Sequence, residues 1–425
     1  MLMHAALRPH PQMPHLAAAS AVRVHASPMA MIADPANAAD QLSTLLAFAD
    51  QADNLAGPLF ASSLFPYLAF LYFVRQDVNG LSPVAKAGFT SLLAFVFMTI
   101  VTSIMAVKSY GTTLANVDYL HSGAEQLLSF TNIINVIGLK LTLNGFTSGA
   151  VTQPAVPSES GEGAGSPLTS SEVPALAIAA GAAIATTAAT LAACGGSLAE
   201  HTAYLGGVGN LPADLVGFLS EPANALSVPT WVIHVSSLLE WLVAMGLVWR
   251  IGLASGNPRW KGMTWAMIPS HSSGVAACTY HIFYNSPDLQ FVVLLQAALT
   301  LLGNCTLAFA AYRLAASNGW RPSLPSLGGD EQAEARADAQ PPTPSSATEA
   351  PMPVDAGAGG AEGLATVLLW SLGASYVIKY GGAALPVTQE APALGALLLI
   401  LGPTSLNVWK WNERSKTPGD FKGLI

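Results

Sequence analysis

The chain has 425 residues, of which 52% are hydrophobic and only 10% charged, against about 25% charged in soluble domains. With a mean hydropathy of +0.45, this excludes an ordinary soluble enzyme and points to an integral membrane protein whose first partner is the lipid bilayer. The net charge of −8 argues against a nucleic-acid partner. Cys194, Cys278 and Cys305 all fall in apolar segments without C-x-x-C spacing, so neither a disulfide framework nor a thiolate metal motif is implied.

Residues 1–33 contain Arg8, Arg23 and four histidines among many alanines, with no acid before Asp34. That composition, without a compact apolar core, is that of an organelle transit peptide rather than a secretory signal. "VRVHA" at 22–26 reads as a plastid processing site, which makes residues 1–26 the leader.

A hydrocarbon core needs about 20 apolar residues per helix, and spans are expected at 58–74, 87–107, 124–145, 173–195, 229–249, 263–283, 289–312, 363–380 and 391–409. The fourth, rich in Ala and Thr, is the weakest of them. It finds support in the positive-inside rule. With nine spans and a stromal C-terminus, Arg75, Lys86, Lys140, Arg250, Arg259, Lys261, Arg313, Arg321, Arg336 and the basic residues from Lys410 to Lys422 are stromal, and only Lys108 and Lys379 are lumenal. Dropping the fourth span moves Arg75 and Lys86 to the lumen.

Residues 146–172 and 317–362 are rich in Ser, Gly, Pro and acids, and cannot bury enough apolar surface to fold alone; they are expected to be disordered linkers. The expectation is therefore an all-α polytopic membrane bundle of about nine transmembrane helices in three modules. A front three-helix module covers 27–145. An Ala-rich span and lumenal connector cover 173–228, followed by a second three-helix module at 229–316. A C-terminal helix pair and stromal tail cover 363–425. No internal repeat supports an inverted-repeat transporter.

The fifth span places His234, Ser237 and Glu240 three apart, a polar stripe about 120° wide. Trp231 and Trp249 mark its ends as interfacial anchors would. The sixth span adds His271, Cys278 and His281, with Pro269 predicting a kink near His271. "NSPD" at 285–288 reads as a tight turn with Ser286 as N-cap and Pro287 at the first helical position. Gln296 and Asn304 follow in the seventh span.

Three chemistries fit these residues. Paired histidines ligate haem or a chlorophyll magnesium, His with Glu and Cys holds a transition metal, and a His–Ser–Glu stripe relays protons. The plain alternative is interhelical hydrogen bonding, worth about 0.6 kcal/mol per contact. Depth pairs His234 with His281 near the lumen and Glu240 with His271 at mid-membrane, so a cofactor is expected first at His234 and His281.

In the front module, Asp118, His121 and Glu125 share one helix face at the lumenal interface, where Asp118 reads as a cap and Glu125 complements the positive helix end. Lys379 is expected to snorkel to the interface, and "NVWKWNERSK" to anchor the last helix on the stromal side.

The stretches "HVSSLLEW", "RWKGMTWAMIPSHSSG", "CTYHIFYN" and "QAALTLLGN", within about residues 226–316, closely resemble the hypothetical-chloroplast-reading-frame-forty-nine family of cyanobacteria and plastids. The front module, with "LFPYLAFLYFV" and "YGTTLANVDYLHSGAE", resembles a second small membrane family of the same organisms. Together they cover under half the chain. The resemblance implies a thylakoid or inner-envelope membrane protein and brings no reaction, ligand or site residue, since both families lack a known biochemical function.

No P-loop, Rossmann fingerprint, H-E-x-x-H or nucleophile elbow occurs in the sequence. The leading expectation is thus a non-enzymatic factor in photosynthetic-membrane organisation or complex assembly, with other photosynthetic-membrane proteins as partners. A haem, chlorophyll or metal protein built on His234 and His281 comes second, and a transporter third.

Overall fold

With no water to bond in a bilayer core, an apolar segment satisfies its own backbone by forming a helix, and this chain does so repeatedly. The structure, a computed structural model, describes residues 49–151, 211–322 and 361–417 apart from a few single positions. Helix α1 spans Ala49–Val74 and α2 Pro83–Tyr110. Ser82 caps α2 by accepting from the N–H of Ala85, and Gly111, at φ 64°, ends it. Helix α3 spans Asp118–Thr147 and α4 Val228–Ser255. A short α5, Arg259–Ala266, leads into α6, Ile268–Ile282. Then come α7, Gln290–Ser317, α8, Ala361–Ala383, and α9, Ala393–Lys416.

The described residues hold helices and no strands. Six helices are long and apolar enough to cross a membrane: α1 from Leu55, α2, α3, α4, α7 with its preceding turn, and α9. They coincide with six of the nine expected spans. The segment 263–283 is divided between α5 and α6 at Met267, with Pro269 in the first turn of α6, where its missing N–H costs nothing. The leader 1–26, the span at 173–195 and most of both linkers lie outside the described residues.

Packing does not follow chain order alone. Helix α1 lies along α7, α3 packs between α2 and α4, α6 sits between α7 and α9, and α8 flanks α4. Small residues permit the closest approaches. A Cβ on Gly138 would collide with the backbone of Ala85 in α2, and one on Gly303 with Ser270 in α6. Asn304 ties α7 to α1 by donating to the carbonyl of Ser63 across 3.0 Å. The outward surface carries apolar side chains such as Phe65, Leu369, Trp370 and Leu394, as lipid contact requires.

Several polar and aromatic residues take other positions than expected. Trp231 and Trp249 are buried within the fold, and Trp249 packs at 5.2 Å and a 34° tilt against Trp411 of α9. Lys379 reaches an anion within the fold. It is buried, with Nζ at 2.8 Å from the Glu221 carboxylate and 2.9 Å from the Leu226 carbonyl. Ser286 precedes a single 3₁₀ turn, Pro287–Leu289, and makes no side-chain cap.

Candidate metal centre

The first turns of α3 and α4 are locked together by one carboxylate. The carboxylate of Asp118 reaches across to α4: its Oδ1 accepts from the Ser227 N–H at 3.0 Å and the Thr230 hydroxyl at 2.8 Å. It thereby serves the orphan donors at the start of α4. One turn further into each helix stand His121 and His234.

The third strut arrives from the end of α6, where His281 occupies the last turn. The chain leaves that helix through Tyr284 and Asn285, both left-handed at φ 51° and 56°, a conformation asparagine tolerates better than most residues. The Asn285 side chain donates to the Ala115 carbonyl at 2.8 Å and to Asn116 Oδ1 at 2.9 Å. Its own Oδ1 is therefore the acceptor presented to His281 Nδ1 at 2.7 Å. Asn224 completes the layer by donating to Asn116 Oδ1 and to the Tyr284 carbonyl. Glu221, Asn224 and Tyr284 help to line a cavity of about 340 Å³.

These supports bring three imidazoles face to edge. Ring centroids lie 4.9 Å apart for His121–His234, 4.8 Å for His121–His281 and 4.9 Å for His234–His281. Each histidine is 6–7% exposed, and Trp231 flanks two of them. One nitrogen from each ring lies within 4.8 Å of the others. Around a tetrahedral ion with bonds of about 2.0–2.1 Å, such nitrogens would stand about 3.4 Å apart, so small ring movements close the set. Imidazole ligands suit zinc, copper, iron and nickel. Ring centroids 4.8–4.9 Å apart leave no room for a macrocycle between any two of these histidines, so in this arrangement no pair of them serves as the two axial ligands of one haem.

The tautomers are decided by the neighbours. The Thr230 carbonyl can only accept, so His234 Nδ1 donates to it at 3.0 Å. Asn285 holds His281 in the same way. In both rings Nε2 is the nitrogen left with a lone pair, the usual preparation of a metal-ligating histidine. His121 differs: its Nδ1 is buried without a hydrogen-bond partner, and its Nε2 lies 3.8 Å from Glu125 Oε1.

The other residues singled out in the sequence fall around this centre or away from it. Glu125 and Cys278 lie near each other, one helical turn from His121 and His281 respectively. Ser237 hydrogen-bonds Ser129 of α3 at 2.9 Å. Glu240 does not pair with His271; its carboxyl turns to Ser129, Asn132 and Ser236. Depth alone suggested that pair, but helix rotation aims Glu240 at α3. His271 faces α9 near Lys410, with neither ring nitrogen hydrogen-bonded. Asn304 belongs to the α1–α7 contact. The sequence reading missed His121 as a member of the cluster, and missed Thr230 and Asn285 as its orienting groups. The depth argument that joined His234 to His281 extends to His121, which opens the third span on the same side.

Two family models match the chain. One is described as a protein of unknown function (DUF3593) and covers residues 56–144; the other is described as a protein of unknown function (DUF2499) and covers 225–313. The chain is 44% identical over 102 residues to a Ycf49-like protein of Synechocystis sp. (strain ATCC 27184 / PCC 6803 / Kazusa), a stretch that is 24% of this chain and 97% of that protein. It is 37% identical over 87 residues to the uncharacterized protein ycf49 of Cyanophora paradoxa, 20% of this chain and 85% of that one. No solved structure matches. His121 lies in the first matched region and His234 and His281 in the second, so neither region alone contains the whole cluster.

Proposed function

We propose, of a chain that belongs to the Ycf49-like family, that it is a plastid membrane protein built around one divalent transition-metal ion held by His121, His234 and His281. The observation that carries this reading is the burial of three imidazoles from three helices with their ligating nitrogens within 4.8 Å of one another. Without an ion, that arrangement leaves His121 Nδ1 buried and unsatisfied, which costs about 1–3 kcal/mol. With an ion, the same burial becomes a three-ligand site with one coordination position open.

The ion would tie α3 of one matched region to α4 and α6 of the other. That supports a role in organising the photosynthetic membrane or assembling its complexes, in the thylakoid or inner envelope. The topology proposed with it has nine spans, a stromal C-terminus and a cleaved leader, which puts the centre toward the lumen.

Elemental analysis of the full-length protein purified without chelator tests the reading. About one transition-metal ion per chain is expected, falling to background in His234→Ala and His281→Ala. Equal metal content in the wild type and both variants would refute it.

A further inference from the structure

Resting on the metal reading, we infer that Glu125 is a positioning residue which holds the Nε2–H of His121, so that this histidine ligates through Nδ1 while His234 and His281 ligate through Nε2.

Each of the three rings has one nitrogen turned toward an oxygen acceptor. For His234 the acceptor is the Thr230 carbonyl and for His281 it is Asn285 Oδ1. For His121 the acceptor on that side is Glu125 Oε1, 3.8 Å from Nε2. The pair is spaced four apart on α3, the separation that makes helix neighbours. The remaining nitrogen, Nδ1, is the one buried without a partner. A lone pair stranded beside two others that are ready for a metal is explained if it is the third ligand.

Glu125 itself stands outside the set of mutually close donors. Its contact to His121 is longer than the about 2.7–2.9 Å of a charge-assisted hydrogen bond. Drawing the ring toward the ion would let the carboxylate close on Nε2–H, giving the carboxylate–histidine–metal arrangement. A half-buried carboxylate there also offsets part of the charge of a dication.

Cobalt(II) titration of the full-length wild type, Glu125→Gln and Glu125→Ala, each monodisperse and equally helical by circular dichroism, tests the assignment. Affinity measured against a competing chelator should fall about 10–100-fold in Glu125→Ala, and less in Glu125→Gln, which keeps an oxygen acceptor. The visible ligand-field bands should keep their wild-type positions in both variants. Shifted bands would make Glu125 a ligand, and unchanged affinity in Glu125→Ala would make it a bystander; either result overturns the assignment. Absence of bands in the wild type would overturn the metal reading, and this assignment with it.

Discussion

His281 donates from Nδ1 to Oδ1 of Asn285 across 2.7 Å, and that single bond determines which nitrogen of the ring faces His121 and His234. Asn285 is itself held at φ 56° with both amide protons engaged by Ala115 and Asn116. A left-handed non-glycine residue costs of order 1–3 kcal/mol, and here the surrounding bonds keep it in place to present one oxygen.

Asn285→Gly separates the two parts of that relationship. Glycine accepts the backbone angle but offers no Oδ1, so metal affinity is expected to drop about 10–100-fold, while the Ala115 carbonyl and Asn116 Oδ1, left without their donor, lower the stability of the metal-free protein by about 1–3 kcal/mol. Chelator competition and melting in detergent measure the two effects. Wild-type affinity in Asn285→Gly would show that the backbone, not the side chain, matters.

Asp118 serves α4 across the helix boundary. Asp118→Ala removes the acceptor for Ser227 and Thr230 and should destabilise the protein by about 1–2 kcal/mol, with Asp118→Asn intermediate. Denaturant titration followed by helical ellipticity reads the difference.

The transmembrane runs were legible because an apolar stretch of sufficient length has one solution in lipid, and six of the expected spans are helices within a residue range close to that expected. His234 and His281 could be brought together from depth alone. His121 could not be placed as readily, because its neighbours Asp118 and Glu125 suggested a polar interfacial face, whereas α4 covers that face. Helix rotation and the choice of packing partner depend on contacts across long sequence separations. That is why Glu240 turned out to face Ser129 and Asn132, and why Glu221 could not be foreseen as the partner of Lys379.

Close helix contact makes Gly138 sensitive. Gly138→Ala forces a methyl into the backbone of Ala85 and should cost about 1–3 kcal/mol as overpacking does. Gly373→Ala in α8, where nothing lies within 4 Å of the added Cβ, should be neutral or slightly stabilising by helix propensity. Equal melting temperatures for the two variants would contradict the α2–α3 contact.

The Glu221–Lys379 pair secures α8 to the segment before α4. Its Lys379 side chain is 1% exposed and Glu221 25%. Glu221→Ala, which removes the carboxylate from a buried ammonium that keeps the Leu226 carbonyl, should cost about 2–3 kcal/mol. This is less than the about 3–5 of fully buried pairs, because Glu221 keeps some solvent. Adding Lys379→Met should recover part of the loss in a double-variant comparison.

X-ray absorption at the edge of whichever metal co-purifies with the full-length protein tests the central claim most directly. The account predicts three imidazole nitrogens at about 2.0–2.1 Å, with the multiple-scattering pattern of histidine rings. A sulfur shell at about 2.3 Å, or an oxygen shell without imidazole scattering, would contradict it.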